Sequence, residues 1–283
     1  MPTQLIRDVA QEIPVRRMDF AFPDDLDLVF IEGDPQLSYF FLGAWMMLPY
    51  LEPYLIRTVQ TAMERVTDAD LKEEMKRFCA QEAQHYRQHA KANDVIRRTH
   101  PSGPQLEALE REVEALLKRW SAKKPLRFNL AYAEGFESMT AAGSVTQMEL
   151  GWFDHMKEPI RGLMLWHIME EIEHRSVCFE TYEKAGAGYL YRLGVGMWAQ
   201  AHYLKLCQRF AAAMIAADPE VIARYATPEL ENERRARMNG YRRKVLPRQL
   251  ATYLPWYSPR NMRLPSQFES VRAEFSALAV SIQ

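Results

Sequence analysis

Residues 81–89 read QEAQHYRQH, and residues 167–174 read HIMEEIEH. Each stretch contains Glu-x-x-His and one further histidine, in a segment of strongly helical composition. Because an α-helix turns about 100° per residue, the glutamate and both histidines of each stretch project from one helix face. Such stripes on facing helices are typical of a bundle-core site for two transition-metal ions. The two motifs predict four metal ligands: Glu82, His85, Glu171 and His174.

Lone glutamates on two further helices are the other part of this ligand pattern. Glu52 is the only acidic residue in residues 35–63, an otherwise largely apolar run. Glu134 and Glu137 are the only acidic residues in residues 115–148. These two compete for one ligand position, and both could face inward because they are three residues apart.

The extra histidine of each motif is a further candidate ligand. His167 precedes Glu171 by one turn, in register with His174, and could ligate the ion that Glu171 and His174 serve. His89 follows His85 by one turn. It could ligate metal, or it could hydrogen-bond to a residue that does. Glutamate and imidazole without thiolate favour iron or manganese, and several buried acids would be costly without cations. We therefore predict two Fe ions as cofactor, with Mn as the alternative.

The helical periodicity of the whole chain predicts an all-α protein, built as a four-helix bundle with extra helices. We predict an N-terminal arm over residues 1–35 and the bundle over residues 36–217. Residues 218–283 form a basic helix and an aromatic, proline-rich wrap that belong to the same domain. The first bundle helix is predicted over residues 36–65, where Pro49 and Pro53 either bend it or break it into two shorter helices. The helix that carries the second motif is predicted over residues 159–184.

Bulk properties exclude several classes of protein. A formal net charge of −1 argues against a general nucleic-acid binder. Cys79, Cys178 and Cys207 are too few and too scattered for a disulfide framework, and we expect buried free thiols in a reducing compartment. The N-terminus lacks the layout of a signal peptide, which predicts a cytoplasmic protein. We expect a homodimer.

Two regions raise the question of a membrane. Residues 35–51 carry no charge, but they contain Pro49 and are followed by Glu52, so a buried helix explains them better than a membrane span. Seven basic residues lie between residues 234 and 248, ahead of an aromatic loop over residues 253–259. These segments are predicted to wrap the bundle, to cover the site or to make a peripheral contact with an anionic membrane surface.

Aromatic and apolar side chains flank the predicted ligands on the same helices. They are Tyr50, Phe78, Tyr86, Phe136, Met139 and Trp166. Ordinary core packing accounts for such residues, but a pocket that opened among them would be apolar. Its substrate would then be an apolar or aromatic small molecule.

Five segments together resemble the bacterial family of predicted metal-dependent hydrolases within the ferritin-like superfamily. They are AQEAQH with His89, WH-x-x-EEIEHRSV from Trp166, FESMTA from Phe136, PYLE ending at Glu52, and WYSP from Trp256. The resemblance favours Glu137 over Glu134 as a ligand. The spacing of His167, Glu171 and His174 is also similar to that of the p-aminobenzoate N-oxygenase di-iron enzymes. That similarity implies oxygen activation at a seven-ligand site: Glu52, Glu82, His85, Glu137, His167, Glu171 and His174.

We therefore expect a non-haem di-iron oxygenase or oxidase that hydroxylates, desaturates or N-oxygenates an apolar or aromatic small molecule. Such an enzyme would need a separate electron donor, because the chain contains no ferredoxin or flavin motif. The alternative is a dinuclear metal-dependent hydrolase, in which metal-bound water attacks an ester or amide. A second alternative is a non-catalytic metal-binding bundle. The sequence predicts no catalytic residue beyond the metal ligands.

Overall fold

The computed structural model describes residues 12–279, and this part of the chain is all-helical. Its α-helices are α1 Pro35–Trp45, α2 Leu48–Met63, α3 Ala69–Thr99, α4 Gly103–Lys123, α5 Leu126–Glu149, α6 Ile160–Glu173, α7 Val177–Ala185, α8 Tyr189–Ala217, α9 Pro219–Arg224, α10 Pro228–Ala251 and α11 Phe268–Leu278. Within this range the only β-type pairing is an isolated bridge between Ile31 and Met156. The all-α prediction is confirmed.

Of the two alternatives for residues 36–65, one bent helix or two shorter helices, the structure shows two helices, α1 and α2. A continuous helix would require Pro49 to donate a backbone N–H to the carbonyl of Trp45, and proline has no N–H to donate. Pro49 instead lies in the first turn of α2, where the helix needs no such donor. Pro53 lies inside α2, directly after Glu52.

The helix predicted over residues 159–184 is also interrupted. α6 ends at Glu173, His174 caps it with φ −97° and ψ 10°, and α7 begins at Val177. The guanidinium of Arg175 donates to the carbonyl of Ile172 at 2.7 Å, which satisfies a group that the helix end leaves free. His174 is therefore fixed at a helix end.

The helices that carry the predicted ligands pack on one another. α2 packs along α3, and α5 packs against α2, α6 and α7. α8 covers the outer sides of α1 and α5. The contact of α5 with α8 needs glycine, because a Cβ atom on Gly135 would lie 2.4 Å from the Cα atom of Gly196.

The described part of the N-terminal arm, residues 12–34, runs over α3 and α6. The backbone N–H of Phe20 donates to Gln88, and the side-chain amide of Gln88 donates to the carbonyl of Met18 at 2.7 Å. Arg16 reaches two glutamates of α6 through a buried guanidinium. The described part of the arm therefore contacts both helices that carry the Glu-x-x-His motifs, α3 and α6.

Helices of the C-terminal region pack on the bundle: α11 packs on α6 beside the N-terminal arm, and α10 packs on α5. Arg248 of α10 donates to Glu149 at 2.7 Å and to Thr146 at 2.8 Å, which attaches α10 to α5.

All three cysteines are free and buried, as predicted. No helix within residues 12–279 has both the length and the apolar character to cross a bilayer.

Candidate metal centre

Seven side chains meet in the interior where α2, α3, α5 and α6 face one another. They are Glu52, Glu82, His85, Glu137, His167, Glu171 and His174. Potential ligand atoms within 4.8 Å of one another form three groups: Glu52 with His85 and His167, Glu82 with His85 and Glu171, and Glu82 with Glu137 and His174. The structure thus brings together all seven residues that the sequence analysis singled out as a ligand set.

His167 lies at the end of the cluster near Glu52. Its Nε2 atom is 3.8 Å from Glu52 Oε1 and 2.9 Å from Glu171 Oε1, and its ring stacks on that of His85 at 4.2 Å. The expectation that His167 shares an ion with His174 does not match this arrangement. Seven residues separate these two histidines, which is about 10 Å along a helix axis.

His174 lies at the opposite end of the cluster. Its Nε2 atom is 3.3 Å from Glu82 Oε1, and it is 3.5 Å from both Glu137 Oε2 and Glu171 Oε2. Glu171 therefore approaches His167 with one carboxylate oxygen and His174 with the other. Glu82 likewise belongs to two of the three groups. These two glutamates lie between the ends of the cluster.

Most of the potential ligand atoms are buried and have no hydrogen-bond partner within residues 12–279. They are both carboxylate oxygens of Glu52, Glu82 and Glu137, Oε2 of Glu171, Nδ1 of His85 and Nε2 of His174. Buried polar atoms are normally hydrogen-bonded, and unpaired buried charges are costly. Four carboxylates converge here, which is the charge needed to neutralise two divalent cations. The donor set therefore fits two metal ions of the kind that oxygen and imidazole ligands bind.

In each cluster histidine, the ring nitrogen that faces away from the carboxylates lies within hydrogen-bond distance of a residue outside the cluster. His85 Nε2 lies 3.0 Å from Glu170 Oε2, His174 Nδ1 lies 3.0 Å from Gln81 Oε1, and His167 Nδ1 lies 2.6 Å from His89 Nε2. Such partners fix the orientation and tautomer of metal-binding histidines. In all three rings the remaining nitrogen points toward the carboxylates.

His89 and Glu134 lie outside the three groups. His89 contacts the cluster through His167 alone among its ligand candidates. Glu134 Oε1 accepts hydrogen bonds from Arg192 at 2.8 Å and from Ser138 at 2.9 Å. Of the two competing glutamates of α5, Glu137 lies in the cluster and Glu134 belongs to a separate buried ion pair.

The electrostatics of the cluster oppose ionisation of the acids in the absence of cations. Burial and the charges of neighbouring carboxylates raise the pKa of Glu52 and of Glu82 well above the usual range. The same two causes raise the pKa of Glu137 to about 7. Glu171 differs: burial alone would raise its pKa, but the charge of His174 and the hydrogen bond with His167 hold its pKa well below the usual range. Bound cations would favour the ionised form of all these groups.

A cavity of about 530 Å³ reaches the cluster at His167 and Glu171. Of the six residues proposed for a substrate pocket, Phe136 and Met139 line it, and the other four do not. Phe78 and Trp166 instead pack edge-on against His174 and His85, each at 4.8 Å between ring centroids. Tyr50 and Tyr86 lie elsewhere and are half-buried.

Sequence reasoning missed most of the cavity wall and part of the support behind the ligands. The missed wall residues include Phe41 of α1, Tyr203 of α8 and Tyr241 of α10. The missed supporting residues are Gln81 and Arg16. Gln81 could have been found because it precedes Glu82 in the motif, whereas no local signal connects Arg16 to α6.

The family model described as predicted metal-dependent hydrolase matches residues 14–263. No curated protein and no solved structure gives a significant match. The family match contradicts the expectation of a di-iron oxygenase or oxidase and supports the alternative of a metal-dependent hydrolase. The oxygenase prediction was wrong because it rested on ligand spacing, and a ligand set does not determine which reaction a metal centre performs.

Proposed function

Because the chain belongs to the family of predicted metal-dependent hydrolases, we propose that it hydrolyses its substrate at a dinuclear metal centre. One observation carries this proposal: buried ligand atoms without partners converge in a cluster at the end of a cavity. The proposed ligands are Glu52, Glu82, His85, Glu137, His167, Glu171 and His174. We further propose that the metal-binding helices form a ferritin-like four-helix bundle.

The grouping of ligand atoms suggests how two ions are shared. Glu52, His85 and His167 would hold one ion, and Glu137 and His174 would hold the other. Glu82 and Glu171 lie between these sets and would serve both. With oxygen and imidazole donors, we propose iron or manganese as the natural metal.

Two bound divalent ions would polarise the scissile carbonyl and lower the pKa of a coordinated water. The protein supplies the remaining functions. Glu170, Gln81 and His89 hold the three imidazole rings in place. His167 and Glu171 are the cluster residues that line the cavity, so the scissile bond would lie beside them. The aromatic wall around this end, which includes Trp45 and Phe136, limits the access of bulk water.

Metal content and anaerobic hydrolysis test the proposal directly. The protein is stripped with a chelator, reloaded with Mn²⁺ under argon, and assayed with p-nitrophenyl butyrate. We expect about two ions per chain, activity that returns only with metal, and no requirement for oxygen. Glu171→Gln should lower kcat/KM by more than the 10–100-fold typical for loss of a residue that supports a ligand.

His155→Ala is the matched control for His174→Ala, because His155 is exposed and lies outside the cluster. The control should keep both its metal content and its activity, while His174→Ala should lose both. Ester hydrolysis that survives chelation, or that is equal in these two variants, would refute the proposed dinuclear mechanism.

A further inference from the structure

We propose that the cavity beside the cluster binds an uncharged, apolar acyl group, so that the substrate is a neutral ester or amide of an apolar carboxylic acid. The claim about which bond is cleaved depends on the proposed function. The claim about which group is bound depends only on the cavity. The volume of about 530 Å³ lies within the range of ligand pockets, about 300–1,000 Å³.

Away from the metal end, the cavity wall lacks the charged side chains that would bind an ionic substrate group. Its lining, among the described residues, contains no Lys, Arg or Asp, and its only Glu and His are Glu171 and His167 at the metal end. A phosphate or carboxylate on the part of the substrate that lies away from the metal end would lack the cationic partner that such groups normally have. An ammonium group would find a carboxylate only where the metal ions are expected to bind.

Apolar side chains form most of the wall along the length of the cavity. Phe41 and Trp45 of α1 face Phe136 and Met139 of α5, and Leu246 of α10 contributes from outside the bundle. Burying an apolar chain against this wall would gain about 25 cal/mol for each Å² removed from water. The wall can therefore bind a hydrocarbon chain or ring with little dependence on hydrogen bonds.

The mouth of the cavity shows how such a group would enter. Met197 and Leu204 of α8 and Leu246 of α10 line the cavity and are also 49, 42 and 56 % exposed. These large apolar side chains lie at the surface on the two helices that flank the opening. An acyl group that enters between α8 and α10 would cover them, and its carbonyl would reach His167 and Glu171.

A binding experiment that involves no hydrolysis tests this inference. The neutral fluorophore N-phenyl-1-naphthylamine is titrated into metal-free and Mn²⁺-loaded protein and then displaced with ethyl decanoate. We expect saturable binding to both forms and displacement by ethyl decanoate but not by ethyl acetate, which differs only in its acyl group. Ala201→Trp should weaken binding at least tenfold, because Ala201 is exposed on α8 and lines the cavity.

Ala212→Trp is the matched control, since Ala212 is exposed on the same helix but does not line the cavity. It should bind the fluorophore as the unmodified protein does. Absence of saturable binding, or equal binding by the two tryptophan variants, would overturn the inference. Binding without hydrolysis of any p-nitrophenyl ester would support the apolar site and refute the proposed function. Hydrolysis of p-nitrophenyl acetate without fluorophore binding would support the proposed function and refute the apolar site.

Discussion

Arg16 and Glu170 form a buried salt bridge in which Nη1 lies 3.0 Å from Oε1. The other carboxylate oxygen of Glu170 lies 3.0 Å from Nε2 of His85. Arg16 therefore fixes the carboxylate that orients a proposed metal ligand. The contact joins the N-terminal arm to the centre of the bundle.

The same guanidinium is also connected to His174 of the second motif, through Glu173 and Gln81. Arg16 Nη2 lies 2.8 Å from Oε1 of Glu173, and Glu173 Oε2 accepts a hydrogen bond from Gln81 at 2.8 Å. Gln81 Oε1 in turn lies 3.0 Å from Nδ1 of His174. One arginine thus supports the histidines at both ends of the cluster.

Replacing Arg16 by methionine should therefore weaken both metal binding and folding. Glu170 would remain buried without its cation, and Glu173 would keep only the cation of Arg272, whose Nε lies 3.0 Å from its Oε1. We therefore expect the free energy of unfolding to fall by about 3–5 kcal/mol. Loss of support for the histidines should lower metal affinity by about 10–100-fold. Urea denaturation and competition with a chromophoric chelator measure the two effects separately.

Arg17→Met is the control for this variant, because Arg17 is exposed on the same arm. It should change neither quantity measurably. An Arg16→Met protein that is less stable but keeps full metal affinity while folded would show that Arg16 acts on folding alone.

His89 and His167 should differ in what their loss does to the metal centre. His89 Nε2 contacts His167 Nδ1, whereas His167 Nε2 faces Glu52 and Glu171. We expect His167→Ala to lose one of two bound ions and His89→Ala to keep both with about 10–100-fold weaker affinity. Co²⁺ titration followed by visible absorption gives both stoichiometry and affinity. One ion lost from each variant would mean that His89 is itself a ligand.

Local sequence patterns predicted the helices and the faces of the two motifs well. The i, i+3 and i, i+4 spacings placed Glu82 with His85, and His167 with Glu171, on common faces because helix geometry is local. At Pro49 the sequence left a bend and a break open, because proline is compatible with either. The break near His174 was missed, because the end of α6 depends on Arg175, whose capping role cannot be recognised from composition.

Features that depend on distant parts of the chain could not be predicted in this way. Part of the cavity wall comes from α8 and α10, so residues such as Leu204 and Tyr241 join the site only after folding. The role of Arg16 arises from contacts across more than 150 residues of sequence. The competition between Glu134 and Glu137 is likewise decided in three dimensions, because Arg192 on α8 pairs with Glu134.

Glu134 and Glu137 offer a matched pair of variants on one buried helix. Glu134→Gln should keep the metal content and lower stability, because it leaves the nearly buried Arg192 without its carboxylate. Glu137→Gln should lower metal content and leave the metal-free protein at least as stable, because it removes a carboxylate whose burial is unfavourable. Elemental analysis and thermal unfolding of the metal-free proteins measure both. The opposite pattern would assign the ligand role to Glu134.

The stability of the metal-free protein should fall as the pH rises from 7 to 8. In the unfolded chain the glutamates, with pKa about 4.3, are already ionised at pH 7. In the folded state Glu52, Glu82 and Glu137 have raised pKa values, as does His174, whose pKa is raised by its glutamate neighbours against the effect of burial. The folded state therefore binds more protons, and stability decreases with pH by up to about 1.4 kcal/mol per pH unit for each proton held.

Histidines with lowered pKa do not reverse this trend, because His85 and His89 are buried and neutral above pH 7 and their unfolded forms are then mostly neutral too. Thermal unfolding at pH 7.0, 7.5 and 8.0 measures the slope. Saturation with Mn²⁺ should remove the part due to the cluster, because bound cations favour the ionised carboxylates in the folded state. The metal-free Glu137→Gln variant should show a shallower slope than the unmodified protein. A slope that is the same with and without metal would mean that the cluster acids do not hold protons in the folded protein.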